Sequence, residues 1–257
     1  MSRIGNAFNN KKAFIAFLTA GDPDYETSLA NFRAVIEAGA DLIEVGIPFS
    51  DPIAEGPVIQ EADIRALSSG MTTDKVFQLV KDLRKDYDLP IVFMTYANPV
   101  YHYGADKFFK NASEAGADGI IIPDCPFEER GEFEGSAAKY GMDFISMIAP
   151  TSEDRIKTIA SQAKGFIYVV SSLGVTGVRS EITTDLDSII KLIKEATDTP
   201  AAIGFGISTP AQAAEMSKKA DGVIVGSAMV RIVAENGKDA PAKLAEYVKS
   251  MKAGINI

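Results

Sequence analysis

Short apolar segments alternate with amphipathic segments along the whole of this 257-residue chain. The apolar segments are rich in β-branched residues, and the segments between them repeat apolar residues at helical spacing. Strands that alternate with helices in this way form parallel sheets. The predicted strands are Ala13–Leu18, Leu42–Gly46, Ile91–Met94, Gly119–Ile122, Phe144–Ile148, Phe166–Val170, Ala201–Gly204 and Gly222–Val225. The predicted helices include Tyr25–Ala38, Thr73–Lys85, Glu128–Lys139, Ser152–Ala163, Asp185–Glu195 and Pro210–Lys219.

The spacing of the strands favours a closed barrel over an open sheet. Four successive strands begin at residues 91, 119, 144 and 166, which is the spacing of compact strand–helix units. The step from residue 42 to residue 91 is 49 residues, so the second unit carries an inserted helix or loop. Eight strands in a chain of this length predict a single (β/α)8 TIM barrel domain over residues 1–257.

The two ends of the chain are expected to complete this barrel. Residues 1–10 are predicted to cover its floor, the end at which the strands begin. An extra short helix is expected before the last helix, Ala240–Met251, and the polar segment Ala234–Asp239 is predicted to be a surface turn there.

One short pattern occurs more than once. Glu37–Asp41 recurs as Glu114–Asp118, and Lys219–Gly222 is similar to both. Each copy lies where a helix ends and a strand begins, so recurrent loop chemistry explains the pattern without an internal duplication.

Composition excludes several classes of protein. A net charge of −9 without a basic stripe argues against non-specific nucleic-acid binding. The only cysteine, Cys125, cannot form an intrachain disulfide, and with one histidine, His102, it cannot supply the usual zinc ligands. The sequence has no signal-peptide pattern and no apolar run near 18 residues, so a soluble cytoplasmic protein that does not bind membranes is expected.

Glu44 is the residue that points most directly to chemistry. Side chains alternate along a strand, so Leu42, Glu44 and Gly46 share one face of an otherwise apolar segment. A carboxyl group buried there loses hydration, which raises its pKa and suits it to general acid catalysis. A buried structural ion pair is the alternative interpretation. The strand leads into Phe49–Pro57, a polar, proline-rich loop that carries two further carboxylates.

The loops after the last strands have the composition of a phosphate site. Gly204 and Gly206 follow the seventh strand, and Gly226 and Ser227 follow the eighth and open a helical stretch. Glycines let backbone amides approach an anion closely, and helix N-termini favour negative charge. Gly177, after the sixth strand, could add another amide. The alternative is that these glycines only form tight turns.

The segment from residue 171 to residue 180 is longer and more polar than a minimal loop. It contains two glycines and several hydroxyl side chains, and such a segment can close over a ligand and exclude water. A passive surface loop fits the same composition equally well.

Several long motifs resemble those of the tryptophan synthase alpha subunit family. The most specific is Leu42–Pro52, which contains Glu44 and the start of the polar loop. The other matching segments, in chain order, are Leu18–Pro23, Gly56–Gln60, Met94–Pro99, Gly174–Gly177, Gly204–Ser208 and Gly226–Ala228. The resemblance implies a (β/α)8 barrel that cleaves indole-3-glycerol phosphate to indole and glyceraldehyde 3-phosphate.

The resemblance also implies two catalytic residues. Glu44 is expected to protonate C3 of the indole ring, because indole leaves poorly as a carbanion. Glu55 stands where the family commonly has aspartate, so the charge is kept on a side chain that is one methylene longer. It is expected to stabilise the positive charge that develops on the ring N–H.

The remaining site residues follow from the matching motifs. Phe17 and Tyr168 are expected to line the indole pocket, with Met94 beneath them. Thr176 is expected to hydrogen-bond Asp51 when the segment of residues 171–180 closes over the ligand. The residues implied to hold the phosphate are Gly177, Gly204, Gly206, Gly226 and Ser227.

A partner is implied as well, namely the beta subunit in a heterotetramer of two alpha and two beta chains. That partner condenses indole with serine by means of pyridoxal phosphate, whereas no cofactor and no metal is implied for this chain. The residues implied to face the partner are Asp51, Pro52, Asn98, Pro99 and Tyr101.

Three other functions compete with this interpretation. A sugar-phosphate isomerase on the same barrel would share the phosphate loops but would not need the inserted unit. A non-catalytic subunit that only binds or activates a partner is disfavoured because Glu44 and Glu55 are both present. A lyase that works alone and releases free indole is disfavoured only weakly, by the loop that is expected to face a partner.

Overall fold

The computed structural model describes residues 3–171, 185–204 and 206–255. These residues form nine parallel strands in the order β5-β4-β3-β2-β1-β9-β8-β7-β6, which wrap into a nearly closed barrel. The strands are β1 Ala13–Thr19, β2 Leu42–Gly46, β3 Ile91–Met94, β4 Gly119–Ile121, β5 Asp143–Phe144, β6 Ser146–Ile148, β7 Ile167–Val170, β8 Ala201–Gly204 and β9 Gly222–Val225. The alternation in the sequence therefore predicted the fold class correctly.

The strand count differs from the prediction at one place. The segment predicted as one strand, Phe144–Ile148, forms the two short strands β5 and β6, which only Ile145 separates. β5 pairs with β4 and β6 pairs with β7, and the Ile145 amide still donates to the Ile120 carbonyl at 2.9 Å. The two edges of the sheet thus belong to one stretch of chain, and this stretch closes the barrel.

Strand register decides which side chains point into the barrel. Paired residues of parallel strands lie on the same face of the sheet. Phe17 pairs with Glu44, which pairs in turn with Val92, and on the other side of the barrel Val170 pairs with Gly204. Every residue of β1 and β2 is buried, as expected for strands that have the barrel interior on one face and helices on the other.

Helices cover the outside of the barrel. Their bounds are α1 Tyr25–Glu37, α2 Pro57–Ser68, α3 Thr73–Arg84, α4 Ala97–Tyr103, α5 Ala105–Ala115, α6 Gly131–Lys139, α7 Glu153–Ser161, α8 Leu186–Ala196, α9 Pro210–Lys219, α10 Ser227–Asn236 and α11 Ala240–Ile255. The insertion predicted after the second strand contains α2. None of the helices in the described ranges is long and apolar enough to cross a membrane.

The turn predicted at Ala234–Asp239 is only partly correct. α10 continues through Asn236, and a short 3-10 helix, Gly237–Asp239, then leads directly into α11. Val233 is buried and anchors the last turn of α10, while Ala234 and Glu235 are good helix formers. The helix ends only at Gly237, whose φ of 52° is readily adopted by glycine.

Residues 3–8 cover the barrel floor, where the sequence predicts that residues 1–10 lie. A 3-10 helix, Ile4–Ala7, brings the fully buried Ile4 beneath the strands. The ring of Phe8 packs against Phe166 at 5.9 Å between centroids, and Arg3 reaches Asp118 at 2.9 Å.

Three aspartates explain the recurrent sequence pattern at this end. Asp41, Asp118 and Asp221 each stand immediately before a strand, and each clamps the start of the neighbouring strand. Each carboxylate accepts a hydrogen bond from the backbone amide of one residue on that strand. The backbone amide of the same aspartate donates a hydrogen bond to the carbonyl of that residue. The clamped residues are Phe14, Ile91 and Ala201, with all six N···O distances between 2.8 and 2.9 Å.

Candidate active site

Glu44 occupies the inner-face position that the strand pattern predicts. Its side chain is 1% exposed, and its Oε1 atom is buried without a hydrogen-bond partner. Burial raises its pKa to about 8, and the charge of Glu55 adds to the effect. A carboxyl group with this pKa keeps its proton at neutral pH and is able to donate it to a bound molecule.

Glu55 lies in the loop that follows β2 and is also buried, at 4% exposure. Its amide donates to the Pro52 carbonyl at 3.1 Å, and its carbonyl accepts the side-chain amide of Gln60 at 2.7 Å. The Tyr96 hydroxyl lies 3.4 Å from its Oε1 atom and donates to it. The loop therefore fixes this carboxylate close to Glu44, from a separate segment of the chain.

Two aromatic rings line the same region. Phe17 and Tyr168 are each 5% exposed, and Met94 is 7% exposed. Burial raises the pKa of Tyr168 well above its ordinary value, and the charges of Glu44 and Glu55 raise it further. Phe17 pairs with Glu44 in the sheet, and Tyr168 lies near both carboxyl groups, so these side chains cluster near the carboxyl-terminal ends of the strands, a region that we call the barrel mouth.

A cavity of about 440 Å³ opens at the barrel mouth, and its volume is in the range of small-molecule sites. Glu55, Met94 and Val170 line its inner side. Its outer side is formed by the segments that follow β4 and β6, including Pro123, Cys125, Phe127, Ala149 and Thr151.

Three of the glycines that the sequence assigns to phosphate, Gly204, Gly206 and Gly226, lie at the mouth. A Cβ atom on Gly204 would lie 2.4 Å from the Tyr168 hydroxyl oxygen, and one on Gly226 would lie 3.2 Å from the Phe17 ring. Both glycines therefore make room for the aromatic rings. Gly206 has a φ of 81°, which requires glycine-like freedom, and Ser227 begins α10 directly after Gly226.

Two of the predicted site residues cannot be placed. Thr176 and Gly177 lie outside the described residues, so the predicted hydrogen bond from Thr176 to Asp51 stays a prediction. Asp51 itself is exposed and accepts the Ser50 hydroxyl at 2.5 Å.

The residues predicted to face a partner lie on the outer rim of the mouth. Asn98, Pro99 and Tyr101 belong to α4, a short helix directly after β3. Tyr101 is 75% exposed, and Ile53, in the loop after β2, is 74% exposed. Pro52 is buried, so its side chain supports the loop from within.

Sequence reasoning missed Asp63, a third buried carboxyl group at the mouth. It lies on α2 and is 6% exposed. Burial raises its pKa to about 8, and Glu55 contributes to the shift. The signal was available, because Ile59, Ala62, Asp63 and Ala66 have the spacing of the buried face of a helix, and aspartate is rarely found there.

The described residues contain no group of three or more His, Cys, Asp or Glu side chains that could hold a metal ion. The mouth contains Glu44, a buried acid that keeps its proton, and Glu55, a second buried carboxyl group. Two aromatic rings and strand ends that carry glycines lie in the same region. This arrangement can transfer a proton to an apolar, aromatic substrate that also carries an anionic group.

Comparison with known proteins gives a consistent result. The family model described as tryptophan synthase alpha chain matches residues 6–256. The chain is 50% identical to the tryptophan synthase alpha chain of Lactiplantibacillus plantarum over 257 residues, covering 100% of this chain and 97% of the relative. It is 48% identical to that of Lacticaseibacillus casei over 256 residues, covering 100% of this chain and 96% of the relative. A structure of Mycobacterium tuberculosis tryptophan synthase superimposes with a TM-score of 0.89 at 34% identity, covering 100% of this chain and 99% of that chain.

Proposed function

Because this chain belongs to the tryptophan synthase alpha chain family, we propose that its barrel mouth cleaves indole-3-glycerol phosphate to indole and glyceraldehyde 3-phosphate. The observation that carries this proposal is Glu44, a buried carboxyl group with an unpartnered oxygen and a pKa of about 8. A carbon–carbon lyase that must protonate an aromatic carbon needs a neutral acid in an apolar site, and Glu44 is such an acid.

Glu44 serves as acid and then as base in the proposed reaction. Its carboxyl group gives a proton to C3 of the indole ring, which leaves an indoleninium-like cation and the Glu44 carboxylate. The carboxylate takes the proton of the glycerol hydroxyl next to the bond that breaks. The electron pair of the O–H bond becomes the second bond of the aldehyde carbonyl, and the pair of the broken carbon–carbon bond returns to the ring, which restores neutral indole. Glu44 ends protonated, ready for another turnover.

Glu55 stabilises the cation formed in the first step. Protonation at C3 places positive charge on the ring nitrogen, and a carboxylate that accepts the ring N–H lowers the energy of that state. The Tyr96 hydroxyl donates a hydrogen bond to Glu55 at 3.4 Å and helps to hold this side chain. The glutamate side chain is longer than the aspartate common in the family, and the contacts of its backbone to Pro52 and Gln60 hold it in place.

The substrate lies with its ring among the aromatic side chains and its phosphate at the last strands. Phe17, Met94 and Tyr168 form the ring pocket, which excludes water from the proton transfer. The phosphate is assigned to the backbone around Gly204, Gly206, Gly226 and Ser227, where α10 begins, together with Gly177, and Thr176 is assigned a hydrogen bond to Asp51.

We propose that the rim of the mouth binds a beta subunit in an assembly of two alpha and two beta chains. Ile53 and Tyr101, both highly exposed, lie on the loops after adjacent strands, and exposed apolar side chains are enriched at interfaces. Asp51, Pro52, Asn98 and Pro99 complete the assigned surface. Pyridoxal phosphate belongs to the partner in this proposal, this chain uses no cofactor, and a single cysteine is consistent with work in the cytoplasm.

Indole release from indole-3-glycerol phosphate tests the function. Wild type should release indole slowly alone and faster with an added beta subunit. Glu44→Gln should lose roughly 10²–10⁴-fold in turnover under both conditions while remaining folded. Glu55→Gln should also be strongly impaired. Absence of indole with wild type in both conditions would show that the chain has the family fold without the activity.

The roles of the two glutamates are separated by the same assay. If Glu55→Gln turns over at nearly the wild-type rate, Glu55 is not the carboxylate at the ring nitrogen. Glu61→Gln is a matched control, because Glu61 is exposed on α2 and close to the same loop in sequence, and it should leave the rate unchanged.

A further inference from the structure

Tyr96 joins the rim of the mouth to the loop that carries Glu55. Its backbone lies between β3 and α4 and is the N-cap of α4, the helix that carries the exposed Tyr101. Its side chain is 4% exposed and contacts the loop after β2, where Glu55 lies. Tyr96 therefore belongs to the rim by its backbone and to the catalytic loop by its side chain.

Three contacts hold the Tyr96 side chain against that loop. Its hydroxyl oxygen accepts the Ala54 backbone amide at 3.1 Å, and the hydroxyl donates to Oε1 of Glu55 at 3.4 Å. Its ring packs against Phe49, where the loop begins, with 5.6 Å between the ring centroids. Because Ala54 directly precedes Glu55, the hydroxyl contacts both the backbone before the carboxylate and the carboxylate itself.

The backbone on both sides of Tyr96 is fixed as well. The Thr95 amide donates to the carbonyl of Ile121, the last residue of β4, at 3.1 Å. The amide of Ala97, the first residue of α4, donates to the Asp124 carboxylate at 2.9 Å. A displacement of α4 at this end therefore moves the backbone from which the Tyr96 ring extends.

The two most exposed apolar side chains of the rim lie beside the two segments that Tyr96 joins. Ile53, 74% exposed, directly precedes Ala54, whose amide the Tyr96 hydroxyl accepts. Tyr101, 75% exposed, lies on the helix that Tyr96 caps. A partner that contacts both side chains would restrain both segments.

We propose that Tyr96 is a positioning residue for Glu55, through which α4 and a beta subunit bound at the rim set the place of the Glu55 carboxylate. This inference rests on the roles proposed for Glu55 and for the partner. The carboxylate stabilises the charge on the ring nitrogen only within hydrogen-bond reach of the ring N–H, so a small displacement slows the chemical step. Substrate binding, which the ring pocket and the phosphate site provide, is affected much less.

Tyr96→Phe tests the proposal, because it keeps the buried ring and removes only the hydroxyl. Indole release should show kcat lowered about tenfold and KM changed by less than about twofold. The factor by which a saturating beta subunit raises kcat should also be smaller than in wild type. A wild-type kcat, or an unchanged stimulation by the beta subunit, in folded Tyr96→Phe would overturn the proposal.

Tyr103→Phe is the matched control on the same helix. The Tyr103 hydroxyl lies at the other end of α4 and contacts Asp74 and Asn111, away from the loop after β2. Its removal should leave kcat and the stimulation by the beta subunit unchanged. Equal losses in Tyr96→Phe and Tyr103→Phe would show a general effect of α4 and would count against a specific role of Tyr96.

A double-mutant cycle with Glu55→Gln shows whether Tyr96 acts through Glu55. Once the carboxylate is absent, removal of the Tyr96 hydroxyl should lower the residual kcat less than about twofold. A further tenfold loss in the double variant would show that Tyr96 acts independently of Glu55 and would overturn the proposal. Lack of indole release by wild type would instead count against the proposed function, so the two failures are distinguishable.

Discussion

The two ends of the barrel treat buried carboxyl groups in opposite ways. At the floor, the Asp41 carboxylate forms ion pairs with Lys11 and Lys252, each at 2.6 Å. The Asp118 carboxylate forms ion pairs with Arg3 at 2.9 Å and with Arg84 at 2.8 Å. At the mouth, burial and the charge of the neighbouring Glu55 raise the pKa of Glu44, and no cation is among the causes of the shift. The floor pairs these buried carboxylates with cations. The mouth pairs Asp22 with Arg65, at 2.7 and 2.9 Å, but keeps Glu44 as an acid whose proton would be lost in water.

The buried carboxylates at the floor serve stability, whereas the buried acid at the mouth serves the chemistry. A buried carboxylate with two cations and a backbone amide as partners holds strands together. A buried carboxyl group without a cation destabilises the fold at high pH, and that same property makes it an acid near neutral pH. The buried acid at the mouth thus lowers the free energy of unfolding at high pH, and the ion pairs at the floor offset this loss.

Asp118→Ala should have the largest effect on stability. It removes the acceptor of Arg3, Arg84 and the Ile91 amide and leaves the largely buried Arg84 guanidinium without a carboxylate, so the free energy of unfolding should fall by roughly 3–5 kcal/mol. Chemical denaturation measures the loss, and kcat per folded molecule should stay close to that of wild type. Asp88→Ala is the matched control, because it removes a highly exposed partner of Arg3 and should have little effect. A large loss of kcat in folded Asp118→Ala would break the separation between the two ends.

One alanine substitution at each end sharpens the comparison further. A Cβ on Gly204 would meet the tip of the Tyr168 side chain at 2.4 Å, and a Cβ on Gly119, at the floor, would meet the Asp143 carbonyl at 2.8 Å. Gly204→Ala should displace the Tyr168 ring and raise KM about tenfold, since ring contacts bind the substrate. Gly119→Ala should destabilise the fold by about 1–3 kcal/mol while KM stays unchanged, because a backbone carbonyl cannot move aside. Equal effects of both variants on KM would contradict the assignment of Tyr168.

Glu44→Gln should make the protein slightly more stable at high pH. The pKa of Glu44 is about 8 in the folded protein and about 4.5 when unfolded, so between these values only the folded state holds the proton. Stability contributed by this group is therefore lost as pH rises from about 4.5 to 8. At pH 8.5 the variant should exceed wild type by roughly 0.5–2 kcal/mol, and the difference should vanish below pH 4.5. Denaturant unfolding across this pH range measures it, and a difference independent of pH would show that Glu44 is not a buried neutral acid.

Much of the architecture and part of the site follow from the sequence by itself. The alternation of strands and helices determined the barrel, because each segment must bury one apolar face and a parallel sheet with helices outside buries all of them. The period of two along β2 placed Glu44 on the inner face, since neighbouring side chains of a strand point to opposite sides. Both results depend on local periodicity, which the sequence displays directly.

Contacts between distant segments were decided only by the tertiary structure. The break at Ile145, the clamps made by Asp41, Asp118 and Asp221, and the room that Gly204 leaves for Tyr168 all join residues from different strands or loops. Asp63 carried a visible sign in the helical spacing of α2, but only packing showed that its side chain is buried. Ionisation and close approach depend on which groups surround a residue in space, and the order of residues along the chain does not specify those neighbours.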